Sequence, residues 1–173
     1  MTKFIAVAAA AAVAVLAAAP AFAQDDMSLY GSVGYAHNKL SNTKAKTGDI
    51  VGRFGAKFNQ YLGAEVEASW GLKGDTVAKN TFKNKGQYAV YGVVYPISTE
   101  NFDLFARVGY GTTQIQNKGP HIRNLDDGKG VSYGVGGNYF FDGENGVRAD
   151  WTQYKFDQKG KSDRVSVSYV RKF

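Results

Sequence analysis

An alternation of period two, repeated along the chain, constrains this sequence most. The segment from Asp163 to Phe173 reads D-R-V-S-V-S-Y-V-R-K-F, with Val165, Val167, Tyr169 and Phe173 on one face and Ser166 and Ser168 on the other. Successive side chains of a strand point to opposite faces, so the spacing specifies a strand and excludes a helix. Seven upstream segments repeat the pattern, near residues 28–38, 48–59, 61–72, 86–96, from 102 onward, 130–141 and 147–156. Short connections alternate with longer polar ones, the longest over about 115–129.

The only long apolar run lies at the start. Lys3 supplies a positive charge, Ile5 to Ala19 is nearly all Ala and Val, and Ala21-Phe22-Ala23 is a small-x-small cleavage site. The pattern predicts a secretory signal peptide over 1–23, removed to leave a single domain over 24–173. No later run could cross a bilayer as a helix. A mature chain that enters a membrane must therefore do so as a closed barrel, because hydrocarbon cannot satisfy an open strand edge. Each of the eight segments is close to the roughly 9–11 residues that a tilted spanning strand needs.

Eight strands also suit a soluble barrel around a ligand, and the faces decide between the two. One face carries Trp, Tyr, Phe, Val and Leu with almost no charge. The other carries Arg53, Lys57, Arg107 and Arg148 against Glu65, Glu67 and Asp150, interleaved with Gly. Arg or Lys facing lipid at mid-bilayer costs about 2–4 kcal/mol each, so the charged face belongs in the lumen and the apolar face toward lipid. In the second strand this puts Ile50, Phe54, Ala56 and Phe58 outward. The fourth strand is ambiguous, because Tyr88-Val90-Val94 and Ala89-Tyr91-Val93-Tyr95 can each face lipid.

The Y-G-S-V-G-Y opening at Tyr30 to Tyr35, the G-V-R-A-D-W stretch at Gly146 to Trp151, the A-F-A signal end and the terminal Phe173 occur in an order that resembles the eight-stranded outer-membrane barrels. That superfamily includes the OmpA transmembrane domain, OmpX and the opacity proteins. The resemblance implies an all-β, closed, eight-stranded antiparallel up-and-down transmembrane β-barrel in the bacterial outer membrane. It also implies that Val165, Val167, Tyr169 and Phe173 form the signal read by the barrel-assembly machinery. Arg171 departs from the family pattern, which usually has an aromatic there; near the rim an Arg can snorkel to phosphates.

Candidate sites follow from these faces. The inward charges Arg53, Lys57, Glu65, Glu67, Arg107, Arg148 and Asp150 form a lumen network, read as a neutralised core that fills a narrow barrel. Tyr35, Trp70, Tyr110, Tyr139, Trp151 and Phe173 are expected in the aromatic girdles. The four longer loops collect fourteen Lys and Arg, Arg164 among them, against five Asp. Lys44, Lys46, Lys79, Lys83, Lys118, Arg123, Lys159 and Lys161 are the candidate contacts to lipopolysaccharide or external polyanions. The short turns lean acidic, with Glu100, Asp103, Asp142 and Glu144.

Other chemistry is thinly represented. The chain has no Cys, which excludes a disulfide frame and thiol catalysis. It has two His, His37 ending the first strand and His121 in the long loop, and neither lies in a nucleophile motif. Some barrels of this size modify lipid A with a rim His, Ser and carboxylate; His121 with Asp126 is the only such grouping available here. No metal site or cofactor is expected. The net charge of +6 with abundant aromatics does not point to nucleic acid behind an export signal. The expectation is a monomeric, non-enzymatic outer-membrane barrel with a structural or surface-interaction role, its partners the outer-membrane lipids, lipopolysaccharide and the assembly machinery. A lipid A-modifying enzyme and a narrow pore remain the alternatives.

Overall fold

The computed structural model of the chain describes residues 27–40, 46–73, 75–77, 80–118, 128–156 and 161–173, and all regular structure among them is strand. The strands are β1 (Ser28–Leu40), β2 (Lys46–Lys57), β3 (Leu62–Lys73), β4 (Asp75–Val77), β5 (Asn80–Ser98), β6 (Phe102–Lys118), β7 (Gly128–Phe140), β8 (Asn145–Phe156) and β9 (Lys161–Lys172). Each of the long strands pairs antiparallel with the next. β3 passes over the three-residue β4 to pair with β5, and β1 pairs with β9. The eight long strands thus close into an up-and-down barrel that has no free edge.

Three tight connections, at 58–61, 99–101 and 141–144, share one end of the barrel with Ser28 and Lys172. Each is tied by a short polar side chain. Asn59 Oδ1 accepts from the backbone N–H of Tyr61 and Leu62 at 2.8 and 2.9 Å. Thr99 Oγ1 accepts from the Phe102 N–H at 3.0 Å. Asp142 Oδ1 accepts from Glu144 N and Asn145 N at 3.0 and 2.6 Å, and Gly143 takes the left-handed φ of 83° that the turn requires.

The alternation resolves as two faces. In β9, Ser162, Arg164, Ser166, Ser168 and Val170 are buried, while Val165, Val167, Tyr169 and Arg171 are exposed. β5 settles its ambiguity the same way: Ala89, Tyr91, Val93 and Tyr95 point inward, and Val90, Gly92 and Val94 outward. Ala56 keeps the outward register expected of it but is only 2% exposed.

Two strands outrun their sequence signal. β5 begins at Asn80 and β6 continues to Lys118, paired from Thr81↔Lys118 to Asn84↔Ile115. β4 adds to this extension through Asp75↔Phe82. The sequence of the extension is mostly polar, Asn80 to Lys85 and Gln114 to Lys118 carrying only Phe82 and Ile115, so period-two patterning did not reveal it. Of the bases assigned to loops, Lys83 and Lys118 lie on this extension, and Lys39, Lys46, Lys129, Lys155 and Lys161 lie at the ends of β1, β2, β7, β8 and β9. The signal-peptide segment 1–23 lies outside the described residues.

Candidate functional site

The lumen is packed with side chains rather than open. Among the described residues its buried charges are Arg53, Lys57, Arg107, Arg148 and Arg164 against Asp49, Glu65, Glu67, Asp103 and Asp150. Five positive and five negative groups balance, as a buried set must.

Three carboxylates form the hubs. Glu65, on β3, accepts from Arg107 Nη1 at 2.6 Å, from Arg148 Nη1 at 2.6 Å, and from the Tyr30 hydroxyl at 2.9 Å. Glu67, two residues on, accepts from Arg53 Nε, Arg107 Nη1, Arg164 Nη1 and the Tyr154 hydroxyl at 2.8–3.0 Å. Asp150, on β8, accepts from Arg53, Arg107 and Arg148 at 3.0–3.2 Å and from the Ser166 hydroxyl at 2.8 Å. Toward the end with the tight turns, Lys57 Nζ meets Asp103 Oδ1 at 3.0 Å and donates to Ser98 Oγ at 2.8 Å. Asp103, grouped with the turn acids on sequence, is 1% exposed and belongs to this core.

Arg164 corrects the loop assignment most sharply. It is fully buried and donates to Asn38, Glu67, Tyr154, Asp49, Ser69 and Gln87 at 2.6–3.2 Å. Although Asp163 to Phe173 reads as a strand, Arg164 beside Asp163 at its polar start was counted with the loop charge. Position settles it, because Arg164 keeps the inward register of Ser166 and Ser168.

Aromatic rings fill the space between charges. Arg107 stacks over Tyr91, Arg148 over Phe105 and Lys57 over Tyr95, 4.2–4.4 Å from each ring centroid. Tyr91 and Phe105 lie across the glycines opposite them, Gly109 and Gly136. A Cβ at either position would come within 2.6 Å of the ring, so bare backbone is what lets the rings lie flat.

The β1–β9 seam is stitched from inside. Arg53, on β2, reaches past β1 to Ser166 and Ser168 of β9 at 2.9 and 3.2 Å. Arg164 of β9 returns to Asn38 of β1 and Asp49 of β2. Outside, Arg171 sits 5.9 Å from the Phe173 ring centroid and 3.9 Å from Glu144, which accommodates its departure from an aromatic.

The outer wall is apolar, and Tyr35, Trp70, Tyr110, Tyr139, Trp151 and Phe173 are all exposed on it, as are Val165, Val167 and Tyr169. At the end opposite the tight turns the outward register changes to lysine: Lys39, Lys129, Lys155 and Lys161 are exposed. Lys39 stands four residues beyond Tyr35, Lys155 four beyond Trp151, and Lys129 four from Tyr133. All four of these lysines were counted as loop charge on sequence. Of the candidate polyanion contacts, Lys46, Lys83 and Lys118 have strand backbones, Lys161 is exposed at the start of β9, and Lys44, Lys79, Arg123 and Lys159 lie outside the described residues. His121 and Asp126 also lie outside them, and His37 is exposed on the outer wall. Among the described residues no three metal-ligating side chains gather.

The sequence profile of the outer membrane protein beta-barrel domain matches residues 8–173. The chain belongs to that family. Solved structures show the same fold in the outer membrane. The N-terminal barrel of Pseudomonas aeruginosa OprF superposes with a TM-score of 0.67 at 12% identity, covering 87% of this chain and 100% of its own. Ail, the attachment invasion locus protein of Yersinia pestis, in complex with the heparin analogue sucrose octasulfate, gives 0.61 at 15% identity, covering 86% and 100%. OprG of Pseudomonas aeruginosa gives 0.61 at 12% identity, covering 88% and 98%. No curated protein matches the chain by sequence. This family barrel is therefore a transmembrane one, and its exposed apolar wall is the lipid-facing surface.

Proposed function

We propose that this outer-membrane barrel does not conduct and works through its outer rim, where bases hold phosphorylated or sulfated polyanions, lipopolysaccharide first among them. One observation carries the reading: Lys39, Lys129, Lys155 and Lys161 face outward, about 13 Å along the strands beyond aromatic or valine positions on the same face. Bacterial barrels place their short turns in the periplasm, which puts this lysine rim at the phosphates of the outer leaflet. Tyr35, Trp70, Tyr110, Tyr139, Trp151 and Phe173 then serve as girdle anchors, and the loop bases extend the rim outward. The balanced lumen supports a structural role for the barrel itself. Ail, a neighbour in fold, is seen with the heparin analogue sucrose octasulfate, a ligand of the class proposed. Export through a cleaved signal over 1–23, and recognition of Val165, Val167, Tyr169 and Phe173 by the assembly machinery, complete the proposal.

The test is binding of the refolded barrel to lipopolysaccharide and to heparin across a salt series, beside a Lys39→Gln/Lys155→Gln/Lys161→Gln variant. Each surface lysine is worth about 1 kcal/mol against an anionic surface, so the triple variant should bind on the order of 100-fold more weakly at low salt. Equal binding by both proteins sinks the reading.

A further inference from the structure

The lipid-facing wall is not uniformly convex. Over β2, β3, β5 and β6 a hollow of about 780 Å³ opens, lined largely by apolar surface. That size falls within the range of roughly 300–1,000 Å³ usual for bound small molecules. Its cause is a row of small residues: Gly52 pairs with Ala68 across β2 and β3, and both face outward. Nothing lies within 4 Å of where a Gly52 Cβ would stand. Phe54 and Val90 rise on one side, and Trp70 and Tyr88, edge to face with centroids 6.4 Å apart, on the other. Among the outward-facing residues that line the hollow, Lys129 alone is charged, and it stands at the rim end.

An apolar hollow with a single outward cation at its rim end matches one amphiphile chemistry. We propose that this hollow is a specific site for one acyl chain of lipid A, with a lipid A phosphate on Lys129. The inference rests on the rim reading for its orientation and goes beyond it in fixing one bound chain to one wall of the barrel. Gly52 and Ala68 are then the residues that decide whether a chain fits, and Lys129 decides that it is a phosphorylated one.

The chain has two tryptophans, and Trp70 lines the hollow. In a Trp151→Phe background Trp70 is the sole indole reporter. The barrel is placed in phosphatidylcholine nanodiscs and titrated with lipid A carrying a quencher on its acyl chains. Trp70 emission should fall saturably, the saturable part should vanish in Gly52→Leu, and Lys129→Gln should weaken it roughly fivefold. Gly52→Leu enters open space and leaves the heat-dependent gel shift of the folded barrel intact. Quenching that rises linearly without saturation, or that Gly52→Leu leaves unchanged, overturns the site. Saturation equal for phosphatidylglycerol or for an uncharged diacylglycerol, or indifferent to Lys129→Gln, overturns the assignment to lipid A phosphate. The Lys39/Lys155/Lys161 variant retains Lys129 and the hollow, so failure of the rim reading in that variant remains distinguishable from failure of the slot.

Discussion

Arg148 and Glu65 stand on diametrically opposed strands, β8 and β3, and meet across the lumen at 2.6 and 3.2 Å. The contact is a strut through the barrel axis, flanked by Phe105 under the guanidinium and Tyr30 on the carboxylate. Removing one side of such a pair leaves the five-against-five buried set one charge out of balance, which costs about 3–5 kcal/mol. Arg148→Met should therefore lower stability by that amount in urea unfolding from lipid vesicles. The double variant Arg148→Met/Glu65→Leu should be less destabilised than the sum of the single variants. Additive losses would show that the strut carries no coupling.

The same packing predicts electrical silence. Arg53, Arg107 and Arg148 converge on Asp150 from β2, β6 and β8, and no ion can pass without displacing them. Purified protein in planar bilayers should give no discrete current steps. A unitary conductance that shifts in Arg107→Ala would establish the narrow-pore alternative.

Two glycines make opposite predictions. A Cβ at Gly109 would fall 2.1 Å from the Val90 carbonyl oxygen and 2.6 Å from the Tyr91 ring, whereas one at Gly52 meets open space. Gly109→Leu should abolish the heat-modifiable folded band after refolding, and Gly52→Leu should keep it. Survival of Gly109→Leu would mean the Tyr91 ring can leave its place under Arg107.

The lipid face can be probed by a single charge. Val135 is exposed near the middle of β7, where an arginine costs about 2–4 kcal/mol in hydrocarbon. Val135→Arg should show that loss in vesicles. The same substitution at Phe141, beyond the end of β7, should cost no more than about 1 kcal/mol.

At the 141–144 turn the Asp142 carboxyl is held below the usual carboxylate range, first by the Asn145 backbone N–H, then by the Asn145 side chain and the Glu144 N–H. A folded-state pKa below the unfolded one contributes stability above the unfolded value, near pH 4, which is lost as pH falls through the folded pKa. Asp142→Ala should therefore unfold more easily than the parent at pH 7 and match it at pH 2. A gap that persists at pH 2 would assign the effect to turn shape rather than charge.

The barrel was legible because lipid and lumen enforce alternation, and Val165 to Tyr169 displays it without interruption. The network was partly legible: Arg53, Glu65, Glu67, Arg107, Arg148 and Asp150 share the inward register of clearly periodic strands. Arg164 and Asp103 were not, since each lies within a few residues of a strand end, where polar composition resembles a loop. Inward aromatics such as Tyr91 and Tyr154 escaped for a related reason. An aromatic on a barrel strand reads as lipid-facing, and only the ring's placement across a glycine or against a guanidinium shows otherwise. The hollow at Gly52 depends on which residues neighbour each other across strands, and period two within one strand carries no such record.

The stitching of the β1–β9 seam bears on how the barrel can come into being. Until β9 docks, Glu67 lacks Arg164, and Arg53 lacks the hydroxyls of Ser166 and Ser168. A sheet with its last strand undocked would hold Glu67 on Arg53, Arg107 and Tyr154 alone and would leave the lumen one positive charge short. Docking of β9 therefore completes the charge balance of the lumen, because Arg164 is the fifth positive group of the buried set. In β9 one guanidinium and two hydroxyls thus serve at once as wall and as closing piece of the charge set.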